Sequence, residues 1–342
     1  MINIGIIGVG YWGANLMRIF FQCKEVKVHS LCDSNLKRKN WIREIYVRDI
    51  RFTVDYKDLL RYDDVDAIVI ATPALTHYRI AKDCLLSNKH VFVEKPLAMN
   101  VLECKELIDI SEERKKILMV GHTFLYNAAV NKLKEYINRD EFGRIYYIYS
   151  QRLNFGIVRQ DINAMWNFAP HDISIVLYLI GMDPIRINAR GLVCLQRDIQ
   201  DVVFLNLDFP NGVSSHIHIS WLDPNKVRKM TIVGSKKMAI YDDMDPIAKI
   251  RIYDQRKTKD DAQRSFGEFK DFGEFQLARR VGDVFMPQIE YVEPLKLECS
   301  HFIECIRDNL KPLSDGLNGL RVVKILEAAQ KSLDNDGISI NL

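Results

Sequence analysis

The stretch that most constrains this chain is its first thirteen residues. Met1 to Val9 is an apolar run rich in β-branched residues, which suits a strand buried on both faces. It runs into Gly8-Val9-Gly10-Tyr11-Trp12-Gly13, after which Asn15 to Phe21 takes helical spacing. Gly8 permits a tight turn, Gly10 lets a pyrophosphate approach the backbone, and Gly13 lets helix and strand pack closely. The helix start offers free N–H groups and a positive dipole end to phosphates, with Tyr11 and Trp12 in the same loop. Val26 to Leu31 is a second apolar strand ending near Asp33, twenty residues past Gly13. A carboxylate there accepts both hydroxyls of an adenosine ribose and repels a 2′-phosphate. NAD(H) is therefore expected over NADP(H), with Lys37 and Arg38 nearby pulling the other way. An ordinary βαβ turn with a surface Asp is the alternative; strand, loop, helix and acid in register speak against it.

A chain of 342 residues suggests two domains, and 48% hydrophobic with 27% charged residues is globular composition. A net charge of +3, with no run of five Lys or Arg, argues against a nucleic-acid partner. The seven Cys lack paired spacing, so no disulfide framework is expected. No signal-peptide pattern or apolar stretch of membrane-spanning length is present, so a cytoplasmic protein without a membrane partner is expected.

Val65 to Ala71 is a strong strand that stops at Thr72-Pro73, and His77 opens a helix toward Asn88. Loops at the carboxyl ends of parallel strands face the ligand, which places Thr72, Pro73 and His77 near the dinucleotide. For His77 a surface position at the helix start is equally compatible. His90 to Val93 is a further strand, followed by Glu94-Lys95-Pro96. This pair sits where a nicotinamide would lie, and Pro96 restricts Lys95. The ammonium could bond a substrate hydroxyl and exchange its proton, with burial and a positive nicotinamide ring lowering its pKa. A surface ion pair is the plain alternative. Leu102 to Arg114 is an amphipathic helix, Leu118 to His122 closes the parallel sheet, and Tyr126 just beyond is a candidate substrate contact.

The pattern changes near residue 122, so residues 1–122 are expected as a Rossmann NAD-binding domain. Residues 123–342 are expected as an α+β domain for substrate binding and oligomerisation. Asn131 to Arg139 is helical, and strands follow from Arg144, many joined by turns such as Pro210-Asn211-Gly212. Short links make a large, mostly antiparallel open sheet, interrupted by one helix from about Pro170 to Leu179 and ended by Gly181. A homodimer or homotetramer through that sheet is expected. Ser214, His216, His218 and Ser220 share one strand face; the two His fit a polar face or subunit interface better than a metal. Cys299, His301 and Cys305 lie in a helical run without a fourth ligand and read as core, so no metal is expected. Asp254 to Asp283 is irregular, with the echo Gly267-Glu268-Phe269 and Gly273-Glu274-Phe275, and is long enough for a functional loop.

With the glycine loop, Asp33, Ala71-Thr72-Pro73, Glu94-Lys95-Pro96 and the later sheet in hand, the chain resembles the glucose–fructose oxidoreductase, inositol dehydrogenase and MocA (Gfo/Idh/MocA) family over nearly its whole length. The resemblance implies that Lys95 is catalytic and contacts both substrate and nicotinamide ribose. The family usually carries Asp-x-x-x-His at the start of the helix in its second domain. Here the His falls on His171 and the Asp position on Asn167, a departure. A neutral amide can orient a sugar hydroxyl but takes no proton, so proton transfer rests on Lys95 and His171. The wording Arg152-Leu153-Asn154, Arg159 and Asn163 to His171 looks like a branch found among sugar-nucleotide enzymes, such as UDP-N-acetylglucosamine 3-dehydrogenases and keto-sugar reductases. It implies an NAD(H)-dependent oxidoreductase acting on a secondary hydroxyl or ketone of a nucleotide-linked amino sugar, in surface polysaccharide or glycan precursor biosynthesis. Arg152 or Arg159 could grip a diphosphate and Trp166 could stack on a sugar; surface arginines and a core tryptophan are the plain readings. A dehydrogenase of free polyols such as inositol, and a non-catalytic NAD-binding regulator, are the alternatives.

Overall fold

The computed structural model describes residues 1–46, 50–156, 158–254 and 283–342. The chain divides into two compact units. The first comprises residues 1–127, 173–175 and 291–331; the second comprises 128–172, 176–290 and 332–342.

Among the described residues the first unit holds a six-stranded parallel sheet. Its strands are β1 (Ile2–Ile7), β2 (Val26–Cys32), β3 (Arg51–Thr53), β4 (Ala67–Ile70), β5 (His90–Glu94) and β6 (Leu118–Gly121), in the order β3-β2-β1-β4-β5-β6. Ile4, Ile6, Ile68, Val69, Val91, Phe92 and Val93 are fully buried, which is why these strands read as continuous apolar runs. The α-helices among residues 1–127 are α1 (Tyr11–Gln22), α2 (Lys37–Tyr46), α3 (Lys57–Leu60), α4 (His77–Leu86) and α5 (Val101–Glu113). α5 starts on a reciprocal cap. The Asn100 side chain accepts the Glu103 N–H at 2.9 Å, and the Glu103 carboxylate takes the Met99 N–H at 3.2 Å. The strand order reverses between β1 and β4, and a crevice at the carboxyl ends of the strands is where such sheets bind ligands. β3, α2 and α3 are elements that periodicity did not separate from loop.

The second unit begins with α6 (Ala128–Asn138) and β7 (Ile145–Leu153), then α7 (Ala164–Ile180). β8 (Arg186–Leu192), β9 (Val202–Asp208), β10 (Ser214–Ser220), β11 (Val227–Gly234), β12 (Lys237–Asp242), β13 (Ile250–Asp254), β14 (Val284–Phe285) and β15 (Ile340–Asn341) follow. With β7 they form a nine-stranded sheet ordered β14-β13-β12-β11-β7-β10-β9-β8-β15. It is mostly antiparallel, with β7 and β10 running parallel. Strand alternation is direct: Ile217, Ile219 and Trp221 are buried while His216 and His218 are half-buried on the opposite face. There the His216 ring stacks on Tyr149 at 5.4 Å, His218 stacks on Phe204 at 4.5 Å, and His216 Nδ1 meets Asn206 Oδ1 at 2.7 Å.

Two features depart from the sequence expectation. α7 begins at Ala164 rather than near Pro170, because Asn163 accepts the Trp166 N–H at 3.1 Å and caps the helix earlier. And α8 (Pro294–Asp308) with most of α9 (Gly316–Leu333) joins the first unit, so residues 123–342 are not one domain. Residues 255–282, the core of the irregular segment with its Gly-Glu-Phe echo, lie outside the described residues.

Candidate active site

In the first unit the glycine loop is built for close approach. Gly8 has φ +87°, and a Cβ there would meet the Ala71 carbonyl oxygen at 2.6 Å. A Cβ at Gly13 would meet the Gly8 carbonyl oxygen at 1.8 Å, whereas one at Gly10 would have nothing within 4 Å. Gly10 therefore faces open space at the start of α1, where no side chain caps the helix and no acid occupies its first turn. Such a helix end receives a pyrophosphate. Tyr11 is exposed and Trp12 partly so. At the end of β2, the half-buried Asp33 accepts Val9 N–H at 2.8 Å through Oδ2 and Asn35 N–H at 2.9 Å through Oδ1. Both bonds fix the carboxylate beside the loop and leave lone pairs for a ribose.

Thr72 and Pro73 lie in the loop after β4. His77 is buried, with Nε2 2.9 Å from the Thr72 carbonyl and Nδ1 2.7 Å from the Pro96 carbonyl. Its ring thus ties the loop after β4 to the loop after β5. Glu94 closes β5 and is buried; its Oε1 accepts the Trp12 indole N–H and its Oε2 the Lys95 N–H at 3.3 Å. Burial pushes the Glu94 carboxyl up to about 7, against the pull of Lys95 and of the Trp12 bond. Lys95 is half-buried and precedes a cis peptide bond to Pro96. Behind this pair, Glu298 on α8 is fully buried and takes the Thr123 hydroxyl at 2.7 Å. Burial first, and the charge of Glu94 second, hold its carboxyl well above the usual range. Tyr126 is buried, its hydroxyl 3.2 Å from Ser314 Oγ and its ring 5.6 Å from that of His301.

In the second unit, Asn167 and His171 sit four residues apart on α7, and both are half-buried. Trp166 is buried beside them. Arg152 is buried too, and its Nε donates to Asp172 Oδ2 while Ser150 Oγ donates to Asp172 Oδ1 at 2.6 Å. Asp172 thereby anchors α7 to β7 and is spent on that pair. Arg159 makes a two-pronged pair with Asp161 at 2.8 and 2.7 Å. Partners that spacing does not reveal therefore engage His77, Arg152 and Arg159. Among the described residues no three His, Cys, Asp or Glu side chains are grouped to hold a metal. Cys305 Sγ lies 3.5 Å from His301 Nε2, which also accepts the Leu313 N–H.

Two family models cover most of this architecture. Residues 2–122 match the oxidoreductase family model described as an NAD-binding Rossmann fold, and residues 130–240 match the GFO/IDH/MocA C-terminal domain. The chain belongs to the Gfo/Idh/MocA family. It is similar to a UDP-N-acetylglucosamine 3-dehydrogenase of Acidithiobacillus ferrooxidans, 27% identical over 52% of this chain and 56% of that one. It is similar to an inositol 2-dehydrogenase of Salmonella typhimurium, 26% identical over 53% and 55%. The chain thus spans about half the length of these two relatives. Among solved structures, the WlbA dehydrogenase of Bordetella pertussis, in complex with NADH and UDP-GlcNAcA, shares the fold at TM-score 0.82. The two chains are 21% identical, with 100% of this one and 97% of that one covered. As a Gfo/Idh/MocA member this chain is an NAD-dependent oxidoreductase. The open space at Gly10, the uncapped start of α1 and the oriented Asp33 carboxylate fit the dinucleotide.

One residue of the first unit went unnoticed in the sequence. His122, directly after β6, is buried, with Nδ1 2.6 Å from Asn318 Oδ1. Its signal is only a His at a strand end, which reads as an ordinary boundary.

Proposed function

We propose that this enzyme oxidises, or in reverse reduces, a secondary carbinol carbon of a nucleotide-linked amino sugar. Glu94 and Lys95 at the carboxyl end of β5, in the same sheet as the glycine loop, carry the reading. The strand order reverses between β1 and β4, so a dinucleotide held with its pyrophosphate at the start of α1 would extend toward β5. Bound NAD supplies the hydride acceptor, C4 of the nicotinamide. Lys95 takes the hydroxyl proton as the C–H hydride leaves, and His171 is the second proton-handling group. Asn167 orients a sugar hydroxyl without exchanging a proton. Tyr126 and Trp166 are assigned to the substrate side, and Arg159 is the cation we assign to a diphosphate. Thr72 and Pro73 line the dinucleotide, with His77 holding their loop. The similarity to a UDP-N-acetylglucosamine 3-dehydrogenase supports the substrate class, and glycan precursor synthesis is the setting that such a substrate implies.

A second reading has its own support. Arg152 and Arg159 are both engaged by carboxylates, an arrangement suited to a free polyol that carries no diphosphate, and an inositol 2-dehydrogenase is a comparable relative. A panel of UDP-sugars, inositols and free aldoses with NAD, followed by NADH absorbance, separates the two. Turnover confined to free polyols overturns the nucleotide-sugar reading, and no turnover on any member leaves the regulator reading in place. The half-buried face carrying Tyr149, Phe204, His216 and His218 is the surface we assign to a second copy of this chain. Light scattering before and after Phe204→Glu tests it. Seven free thiols suit a reducing compartment, and we place the enzyme in the cytoplasm. No helix among the described residues is long and apolar enough to cross a membrane.

A further inference from the structure

β5 and β6 end side by side, with Glu94 and Gly121 paired in parallel register. Lys95 and His122 are thus the first residues beyond one shared edge of the sheet. The backbone there is tight: a Cβ added at Gly121 would come within 2.9 Å of the Glu94 carboxyl.

His122 is 1% exposed. An amide oxygen only accepts, so the Nδ1 atom that meets Asn318 Oδ1 carries the ring proton. Nε2 is then the bare lone pair of a neutral imidazole. It is buried and has no hydrogen-bond partner among the described residues. A buried acceptor left in this state is costly and rare in native proteins. Burial first, the opposing Asn318 bond, and then the charge of Lys95 set its pKa, which falls to about 4, so the ring stays neutral near pH 7. The ring is also firmly held. Asn318 N–H is fixed on Asp315 Oδ1 at 2.8 Å, and the neighbouring Ser314 carbonyl takes the Val120 N–H at 2.7 Å. Two side-chain donors at this edge are already committed: the Trp12 indole to Glu94, and the Thr123 hydroxyl to Glu298. Lys95 is the neighbour whose charge reaches the ring, and an amine has several donors to share.

We propose that His122 is a positioning residue for Lys95: with the dinucleotide bound, its Nε2 accepts a hydrogen bond from the Lys95 Nζ and holds the amine at the reacting hydroxyl. The inference rests on the catalytic reading of Lys95. No proton leaves Nζ for the ring; the imidazole orients the amine and remains neutral.

The test uses the full chain with its eight histidines labelled with ¹⁵N, saturated with NAD⁺. His122→Asn and His122→Gln identify the His122 resonances by their loss. In the unsubstituted protein the Nε2 resonance should lie upfield of its position in NAD⁺-saturated Lys95→Met, as for a ring nitrogen that accepts a hydrogen bond. His122→Asn also separates the ring's two ends. Asn keeps an amide near Nδ1, and hence the Asn318 bond, but deletes Nε2. Its NADH affinity and melting temperature should hold while kcat for the sugar turned over falls roughly 10- to 100-fold. Combining Lys95→Met with His122→Asn should be no slower than Lys95→Met alone. An Nε2 resonance unmoved by Lys95→Met, with turnover of that variant reduced, overturns this proposal alone. Full turnover by Lys95→Met overturns the catalytic reading of Lys95 and this proposal with it. If the His122 variants do not fold, the one histidine ring whose signals respond to Asn318→Asp supplies the assignment.

Discussion

Arg152→Met separates a ligand-gripping arginine from a structural one. Arg152 and Asp172 are each about nine-tenths or more buried, and the Asp172 carboxylate has two bonds, one from Arg152 and one from Ser150. Met fills the volume of the arginine stem but leaves a buried carboxylate with only the Ser150 hydroxyl. Breaking one side of such a pair costs about 3–5 kcal/mol. For a unit of this size that corresponds to a melting point lower by roughly 6–20 °C. Replacing both partners, Arg152→Met with Asp172→Leu, removes the orphaned charge and should recover most of the loss, because well-packed apolar pairs replace buried ion pairs at little cost. Scanning calorimetry and urea unfolding followed by circular dichroism read both variants. A melting point for Arg152→Met within a degree or two of the parent, with KM for the sugar raised, would refute the argument and return Arg152 to the ligand.

Asp33→Ser should narrow or reverse the preference for NADH over NADPH, read as a ratio of dissociation constants by fluorescence; equal affinities in the parent protein would remove Asp33 from that role. Lys95→Met should keep NADH binding and lose ~10²-fold or more in turnover, and His171→Asn should slow turnover with the melting point retained; activity within a few-fold in either variant sinks its assignment. Glu94 is an acid whose folded pKa is raised from 4.5 to about 7, so the folded state holds its proton longer than the unfolded one. Its contribution to stability is complete below pH 4.5 and is lost as pH rises through about 7. Glu94→Gln should flatten that decline in unfolding free energy, and an unchanged slope would show that the carboxyl titrates elsewhere.

The parallel sheet was readable because each of its longer strands is apolar on both faces and ends in recognisable turn chemistry. Gly8 to Gly13, Asp33 and Glu94-Lys95 could be placed from chain order alone, since a strand's carboxyl end determines which loop faces the ligand. α2, α3 and β3 escaped because short, charged segments such as Lys57–Leu60 carry little periodicity. The start of α7 was misplaced because Pro170 looks like a first-turn proline, while the Asn163 cap seven residues earlier decides the matter. His122 was invisible for a different reason. Its meaning lies in Asn318, 196 residues away, and no local pattern reports such a partner. Arg152 likewise looks solvent-directed until the fold brings Asp172 against it.

The passage of residues 291–331 back into the first unit sets the order in which this protein can mature. Phe302 packs edge-on against Phe92 at 5.6 Å, Glu298 receives Thr123, and Asn318 fixes His122. A nascent chain that has emerged only through β6 lacks all three. It carries all six strands of the parallel sheet but none of α8 and α9, which cover that surface. The nucleotide-binding half, although encoded first, is completed nearly last, after every strand of the second sheet except β15 has left the ribosome. A fragment cut at residue 122 would expose Phe92 and the β6 edge, and would be prone to aggregate rather than serve as a free-standing dinucleotide-binding module.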